Sequence, residues 1–315
     1  MTQIAAMIRW LFGQAYLLLP VTMMCWAGNA VVGRALAGPF PPIALSELRW
    51  SGAFCVLLPF AWRHIKRDWP VIARHWRYLA LLGLSGIGIF NTLQYTALNY
   101  TTALNVLLMQ PALPLLVAGF AFLLLRERLT AGQFGGIVIS LFGVVLIVTN
   151  GDLGLLASLQ LNPGDLIFFF AMFVYAFYAA MLKRRPEIHW LSLLTVTIGM
   201  GCLFIFPFFL WELSTGARIV WNTGTVLGLA YVTLFPSTLA YICFNRGVDL
   251  IGPNRAGPFF HLTPLFGVLL AMTFLGEELT LAHGLGAGCI VCGIVIASRK
   301  TQGAKKRVVP ADGAG

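Results

Sequence analysis

Arg126-Glu-Arg-Leu-Thr-Ala-Gly-Gln-Phe-Gly-Gly136 has a counterpart later in the chain, in Gly276-Glu-Glu-Leu-Thr280 and the Gly286 that follows it. The match runs at a spacing of 150 residues: Glu127 with Glu277, Leu129-Thr130 with Leu279-Thr280, Gly136 with Gly286, Gly143 with Gly293 and, upstream, Pro114 with Pro264. Farther upstream, Tyr95-Thr-Ala-Leu-Asn99 matches Tyr241-Ile-Cys-Phe-Asn245 at a spacing of 146, and the longer loop before Pro253 absorbs the difference. Self-similarity at a fixed period marks a duplicated structural unit.

What is duplicated is a set of apolar segments. The 315 residues are 59% hydrophobic and 10% charged, against roughly 25% charged in soluble domains. Hydropathy, with Gly, Pro and charge as punctuation, places spans near 15-36, 43-62, 78-98, 102-125, 132-149, 164-182, 191-211, 224-245, 254-275 and 282-298. Each is close to the ~20 residues that carry a helix across ~30 Å of hydrocarbon. The remaining loops and tails are too short for a soluble catalytic, nucleic-acid-binding or ATP-hydrolysing domain. Ten spans divide into five and five, and an odd number turns the second copy upside down, which builds a cavity on the axis between the copies. The expected fold is all-α and integral to the membrane, with ten transmembrane helices in two inverted five-helix repeats. An N-terminal interfacial segment (1-14), rather than a signal peptide, precedes the first repeat (15-149); the second repeat (164-298) is followed by a basic tail (299-315).

Of the 21 Lys and Arg residues, eighteen fall on the side of the termini, Arg34 and Arg218 fall opposite, and Arg49 lies within a span. Short loops rich in Lys and Arg stay cytoplasmic, so both termini are expected in the cytoplasm. The net charge of +10 then faces the anionic inner leaflet and requires no nucleic acid. All six cysteines lie in spans. Cys289-x-x-Cys292 lacks the second pair of ligands that a zinc site needs, and is read as two small residues on a packing face. Gly284, Gly288 and Cys292 in the tenth span, and Gly136 and Ser140 in the fifth, have the spacing that lets helices approach closely. No strand precedes Gly284-Leu-Gly286-Ala-Gly288, so it is not a nucleotide loop. No metal or cofactor is expected.

These repeat segments, together with Pro41-Pro-Ile-Ala-Leu-Ser-Glu-Leu-Arg49 in the second span, resemble the EamA-type branch of the drug/metabolite transporter superfamily, over residues 15 to 298. The resemblance implies ten helices in a 5+5 arrangement and an Arg at the place of Arg49. It also implies export or exchange of small metabolites, such as amino acids or amphipathic compounds, by alternating access without ATP hydrolysis. Lipid or lipid-precursor translocation by the same fold is the alternative. The expected partners are a small-molecule substrate and the bilayer, in the cell (inner) membrane, with a homodimer left open.

Arg49 is the first candidate site residue, because an Arg at the centre of a span costs ~2.5-3.5 kcal/mol on insertion scales and so faces a cavity or snorkels to the headgroups. Glu47 is rotated ~200° from it on the helix and is read as a pairing or interfacial carboxylate. Asn91, Gln94 and Tyr95 share one stripe of the third span, and Ser237 and Tyr241 share the related stripe of the eighth. Trp26 with Asn29, and Tyr175 with Tyr178, make similar pairs in the first and sixth. Such groups either line a cavity or bond across helices; lining would suit an amphipathic substrate with a flat apolar part. His261, opposite Pro111 in the repeat, either couples to protons or bonds a neighbouring helix. A membrane enzyme is the competing class, since Gly83-Leu-Ser85-Gly86 has the form of an intramembrane serine protease motif and His283 could be its base. Roughly 15 Å of depth would separate the two, by the ~1.5 Å rise per residue, whereas proton transfer needs ~3 Å. That reading is set aside. A topology reporter fused after Gly315 should behave as cytoplasmic and one inserted in the 150-163 loop as external; the reverse pattern would contradict the charge argument.

Overall fold

A computed structural model of the chain describes residues 10-102, 105-106, 109-149, 151-152, 154, 162-275 and 280-298. The interfacial segment through residue 9, the 276-279 arm of the repeat motif, most of the 150-161 loop and the 299-315 tail lie outside them. Among the described residues ten main helices follow in order. In the first repeat these are α1 (Ala15–Leu36), α2 (Pro42–Arg74), α3 (Trp76–Gly83, then a π-helical Leu84–Ile89, then Phe90–Tyr100), α4 (Gln110–Leu125) and α5 (Ala131–Thr149). In the second they are α6 (Pro163–Met181), α7 (Trp190–Ser214), α8 (Thr223–Val232, a π-helical Thr233–Leu239, then Ala240–Ile251), α9 (Pro253–Ala256, a 3₁₀ Gly257–His261, then Leu262–Leu275) and α10 (Leu281–Ser298). The protein is an all-α membrane protein. Five stretches, α1, α2, Pro163–Arg184, α7 and Thr223–Ile251, are each long and apolar enough to span a bilayer, and α4, α5 and α10 are shorter apolar helices.

One boundary differs from the sequence reading. The second span was expected to end near residue 62, yet α2 continues through its basic stretch for 33 residues, about 50 Å at ~1.5 Å per residue. Ile65, Asp68 and Ile72, three and four residues apart, keep one face buried, so this face holds the extension helical while its other sides carry Arg63, Lys66, Arg67 and Arg74.

The packing obeys the repeat. Helix α1 packs on α8 and α9, and its counterpart α6 packs on α3 and α4; α2 pairs with α7, and α5 with α10. Where α5 meets α10, a Cβ added at Gly143 would sit 2.5 Å from the Gly286 carbonyl oxygen, and one at Gly286 would sit 2.6 Å from that of Gly143. Gly136 and Gly293 face each other in the same way. Exchanging the repeats turns the contact of Gly136 with Gly293 into that of Gly286 with Gly143, which is what a twofold axis between antiparallel helices requires. The face used is not the expected one on α10. Gly284 and Gly288 have open space beside them and Cys292 is exposed, whereas Gly286 and Gly293, seven residues apart, form the seam. Ser140, beside Gly293, packs as expected.

Helices α2 and α7 are pinned at both ends. The Glu212 carboxylate, near the end of α7, accepts from the backbone N–H of Ile43 (3.1 Å) and Ala44 (2.7 Å) at the start of α2. Asp68, near the end of α2, accepts from the N–H of His189 and the hydroxyl of Ser192 at the start of α7, each at 2.8 Å. Each carboxylate satisfies orphan donors at a positive helix end. Burial opposes ionisation of Asp68, but the bonds from His189, Ser192 and Arg67 outweigh it and hold the carboxyl below its ordinary range. Gly136→Ala forces a methyl into the α5–α10 seam and should cost ~1-3 kcal/mol, read as a lower thermal unfolding midpoint in detergent, whereas Gly288→Ala should leave the midpoint in place.

Candidate functional site

Hydrocarbon leaves no water to satisfy a broken backbone, so each irregular segment shows where something else is satisfied. Pro236 in the π segment of α8 has no N–H to give, and the hydroxyls of Ser237 and Thr238 donate to the carbonyls five residues back, Val232 (2.6 Å) and Thr233 (2.8 Å). In the π segment of α3 the Gly86 carbonyl accepts from the Asn91 amide (3.0 Å) and, across the repeats, from the Tyr241 hydroxyl (2.7 Å). Both π segments face the centre of the molecule, a common setting for such bulges at functional sites.

Arg49 lies between them and is 1% exposed. Its Nε donates to Ser237 Oγ at 2.6 Å, and its Nη1 donates to Tyr95 Oη and, at 3.4 Å, to Asn29 Oδ1. Tyr95 completes the ring by donating to the same Asn29 oxygen at 2.7 Å. The guanidinium carbon lies 4.8 Å from the centre of the Trp50 ring and 5.2 Å from that of Tyr95, within cation–π range. Snorkelling is thereby excluded: the side chain turns inward and is held by α1, α3 and α8, elements of both repeats. Its Nη2 has no hydrogen-bond partner among the described residues.

A central cavity is lined by the polar side chains of Arg49, Asn29, Asn91, Gln94 and Gln110 and by Trp26, Phe90, Leu113, Tyr175, Tyr241 and Phe260. Trp26 is the hub of the aromatic members, with ring centres 5.7 Å from both Tyr175 and Tyr241, 5.2 Å from Phe244 and 5.6 Å from Phe260. The free space is about 20 Å³, room for about one water-sized group. Two buried polar atoms of the lining, Tyr175 Oη and Gln110 Oε1, have no partner. Each such atom costs ~1-3 kcal/mol, a cost that structural packing alone does not explain.

Seven of the ten expected residues therefore line one cavity: Arg49, Trp26, Asn29, Asn91, Gln94, Tyr175 and Tyr241. Tyr95 acts through its bond to Arg49. Tyr178 is in ring contact with Tyr175, but its hydroxyl is taken up by Asn245 (2.9 Å) and it does not line the space. His261 is not in the cavity either. A carbonyl can only accept, so His261 Nε2 carries the proton donated to Pro111 O (2.9 Å), and Nδ1 is left facing Ser140 Oγ. Both ring nitrogens are thus spent on joining α9 to α4 and α5. Glu47 bonds Ser51 (2.7 Å) and faces a separate groove between α2 and α7. Ser85 donates to the carbonyl of Leu81, and His283 Nδ1 accepts from the N–H of Thr280, so each is engaged by its own helix.

A family model described as the EamA-like transporter family matches residues 13–149 and again 162–299. The chain belongs to the EamA-like transporter family. The two EamA matches begin 149 residues apart and together cover both repeats. An uncharacterized transporter of Archaeoglobus fulgidus is 26% identical over 91% of this chain and 98% of its own length. The uncharacterized transporter YyaM of Bacillus subtilis is 28% identical over 69% of this chain and 72% of its own. A crystal structure of another protein superposes with a TM-score of 0.69 at 18% identity, covering 90% of this chain and 96% of that one, which shows the shared fold. EamA proteins are transporters, not enzymes.

The EamA repeat also accounts for the lining residues that periodicity missed. An offset of 150 pairs Gln110 with Phe260, an offset of 146 pairs Asn91 with Ser237 and Tyr95 with Tyr241, and an offset of 149 pairs Trp26 with Tyr175. Placing Phe260 in the cavity therefore identifies Gln110, although neither belongs to a polar stripe. Because His261 spends its nitrogens on packing, His261→Gln should leave the pH profile of transport unchanged at equal membrane abundance; a displaced profile would return the residue to the transport pathway.

Proposed function

We propose that the protein is a secondary transporter that exports small metabolites, such as amino acids or amphipathic compounds, by alternating access in the cell (inner) membrane, with both termini cytoplasmic. One observation carries the reading: a buried cavity lined by polar and aromatic side chains lies between two inverted repeats, which both contribute to it. Inverted repeats place a substrate site there and expose it alternately by rocking one half against the other.

Contacts between helices flank the cavity on both sides. On one side Arg49 and Asn29 of the lining are bonded to Tyr95, and Arg34 donates to the Leu98 carbonyl. On the side that bears most Lys and Arg, Tyr178 bonds Asn245, and Arg185 and Arg246 both pair with Asp249. Since the free space admits little more than one water-sized group, a substrate requires the lining helices to part. Arg49 is positioned to sense this parting, because its partners Ser237 and Asn29 belong to different repeats. The chain has no phosphate-binding loop, consistent with a gradient or exchange as the energy source.

A lipid-handling reading draws on the groove between α2 and α7, about 350 Å³ lined by Glu47, Ser51, Phe54, Cys55, Gly199, Cys202, Leu203 and Phe206. It shares no lining residue with the central cavity, which favours the small-metabolite reading. Arg49→Lys separates binding from packing. A planar, multi-donor guanidinium cannot be reproduced by an ammonium, so this variant should reach normal membrane abundance yet lose at least about tenfold in transport, the order expected for one charge-assisted hydrogen bond. Near-normal transport would sink the assignment of Arg49 to the substrate site.

A further inference from the structure

We propose that the central cavity selects substrates carrying a single negative charge on a flat apolar body, such as an aromatic carboxylate, over the neutral, zwitterionic and cationic compounds of the same shape. The proposal rests on the reading of this cavity as the substrate site, and narrows that reading to its amphipathic compounds, away from the zwitterionic amino acids.

The argument begins with a count of charge. Arg49 is the one ionisable side chain of fixed charge among the eleven lining residues, and its partners Ser237, Tyr95 and Asn29 are all neutral. No carboxylate among the described residues forms an ion pair with it. Glu47, two residues earlier on the same helix, opens into the other groove. Asp165 is engaged by Thr101, Asn105 and the start of α6, and Glu212 by the start of α2. The repeat does not supply one either, since an offset of 146 places Thr195 at the position of Arg49. A guanidinium withdrawn from water without a counterion is costly, and a substrate bearing one negative charge neutralises it.

The donors and acceptors point the same way. Among the described residues the hydrogen bonds of Arg49 leave from Nε and Nη1 and none from Nη2, and the hydroxyl of Tyr175 lacks a partner, so both have hydrogens for an anion. An ammonium brings three donors and no acceptor. It would find the neutral amide oxygens of Gln94 and Gln110 and a like charge at Arg49. A zwitterion keeps half of this disadvantage. The aromatic lining residues Trp26, Phe90, Tyr241 and Phe260 offer ring faces and edges to a flat body.

Four compounds sharing a phenyl ring and a short chain test the charge alone: 3-phenylpropanoate, 3-phenylpropanol, phenylalanine and phenethylamine. Each is titrated against the purified full chain in nanodiscs, reading the shift in thermal unfolding midpoint at neutral pH. The acid should stabilise the protein at concentrations about tenfold or more below the other three, because unlike charges attract strongly away from bulk water. The ranking needs no variant, so misfolding cannot mimic it. Equal shifts from the acid and the alcohol, a larger shift from phenylalanine or phenethylamine, or no shift from the acid would each overturn the proposal. Tighter binding of the zwitterion or the amine would do so while leaving the cavity as the substrate site, whereas retention of transport by Arg49→Lys overturns the site itself.

Discussion

Every backbone N–H and C=O within hydrocarbon must find a partner inside the protein, and the rest of this structure follows from how the chain meets that demand while still breaking its helices. The breaks are concentrated around the centre. The 3₁₀ turns of α4 and α9 supply Gln110 and Phe260 to the cavity, and the π segments of α3 and α8 run directly into the stretches that supply Phe90, Asn91 and Tyr241. At each, a side chain or a neighbouring repeat takes over the freed group: Ser237 and Thr238 in α8, Asn91 and Tyr241 at Gly86, His261 at the Pro111 carbonyl. The irregular backbone and the polar lining are thus two aspects of one arrangement.

Backbone symmetry and chemical asymmetry coexist in it. The α5–α10 seam uses the same glycines from both repeats, and the 2–7 pair exchanges a carboxylate at each end. The lining does not share this evenness. Arg49 answers to Thr195, Gln110 to Phe260 and Asn91 to Ser237, so the two copies bring different chemistry to the centre. In the reading proposed above, the duplicated scaffold would supply the motion and divergence between its copies the binding chemistry.

Much of this was legible in the residues. The repeat at 146 to 150, the ten segments and the isolated Arg49 carry strong signals, because a charge or a Pro in an apolar run has few tolerable environments. Which stripe of an apolar helix faces protein was much less legible. Lipid tails are as apolar as Leu, so hydropathy does not distinguish Gly288, open to the outside, from Gly286, wedged against α5. Nor does it show that Asp68 and Glu212 reach across to the start of another helix, since both read as ordinary helix-end charges. His261 and Tyr178 have the chemistry of site residues, and what removes them is only the direction in which their polar atoms find partners.

The double clamp between α2 and α7 also limits how the molecule can move. Sliding one of these helices along the other by a turn would tear Glu212 from Ile43 and Ala44 and Asp68 from His189 and Ser192 together, uncovering helix-end donors at both membrane surfaces. The two helices are therefore a slab that travels as a unit, although they belong to different repeats. In the alternating access proposed above, the halves that rock would then each be assembled from both copies, with α2 and α7 kept on the same side.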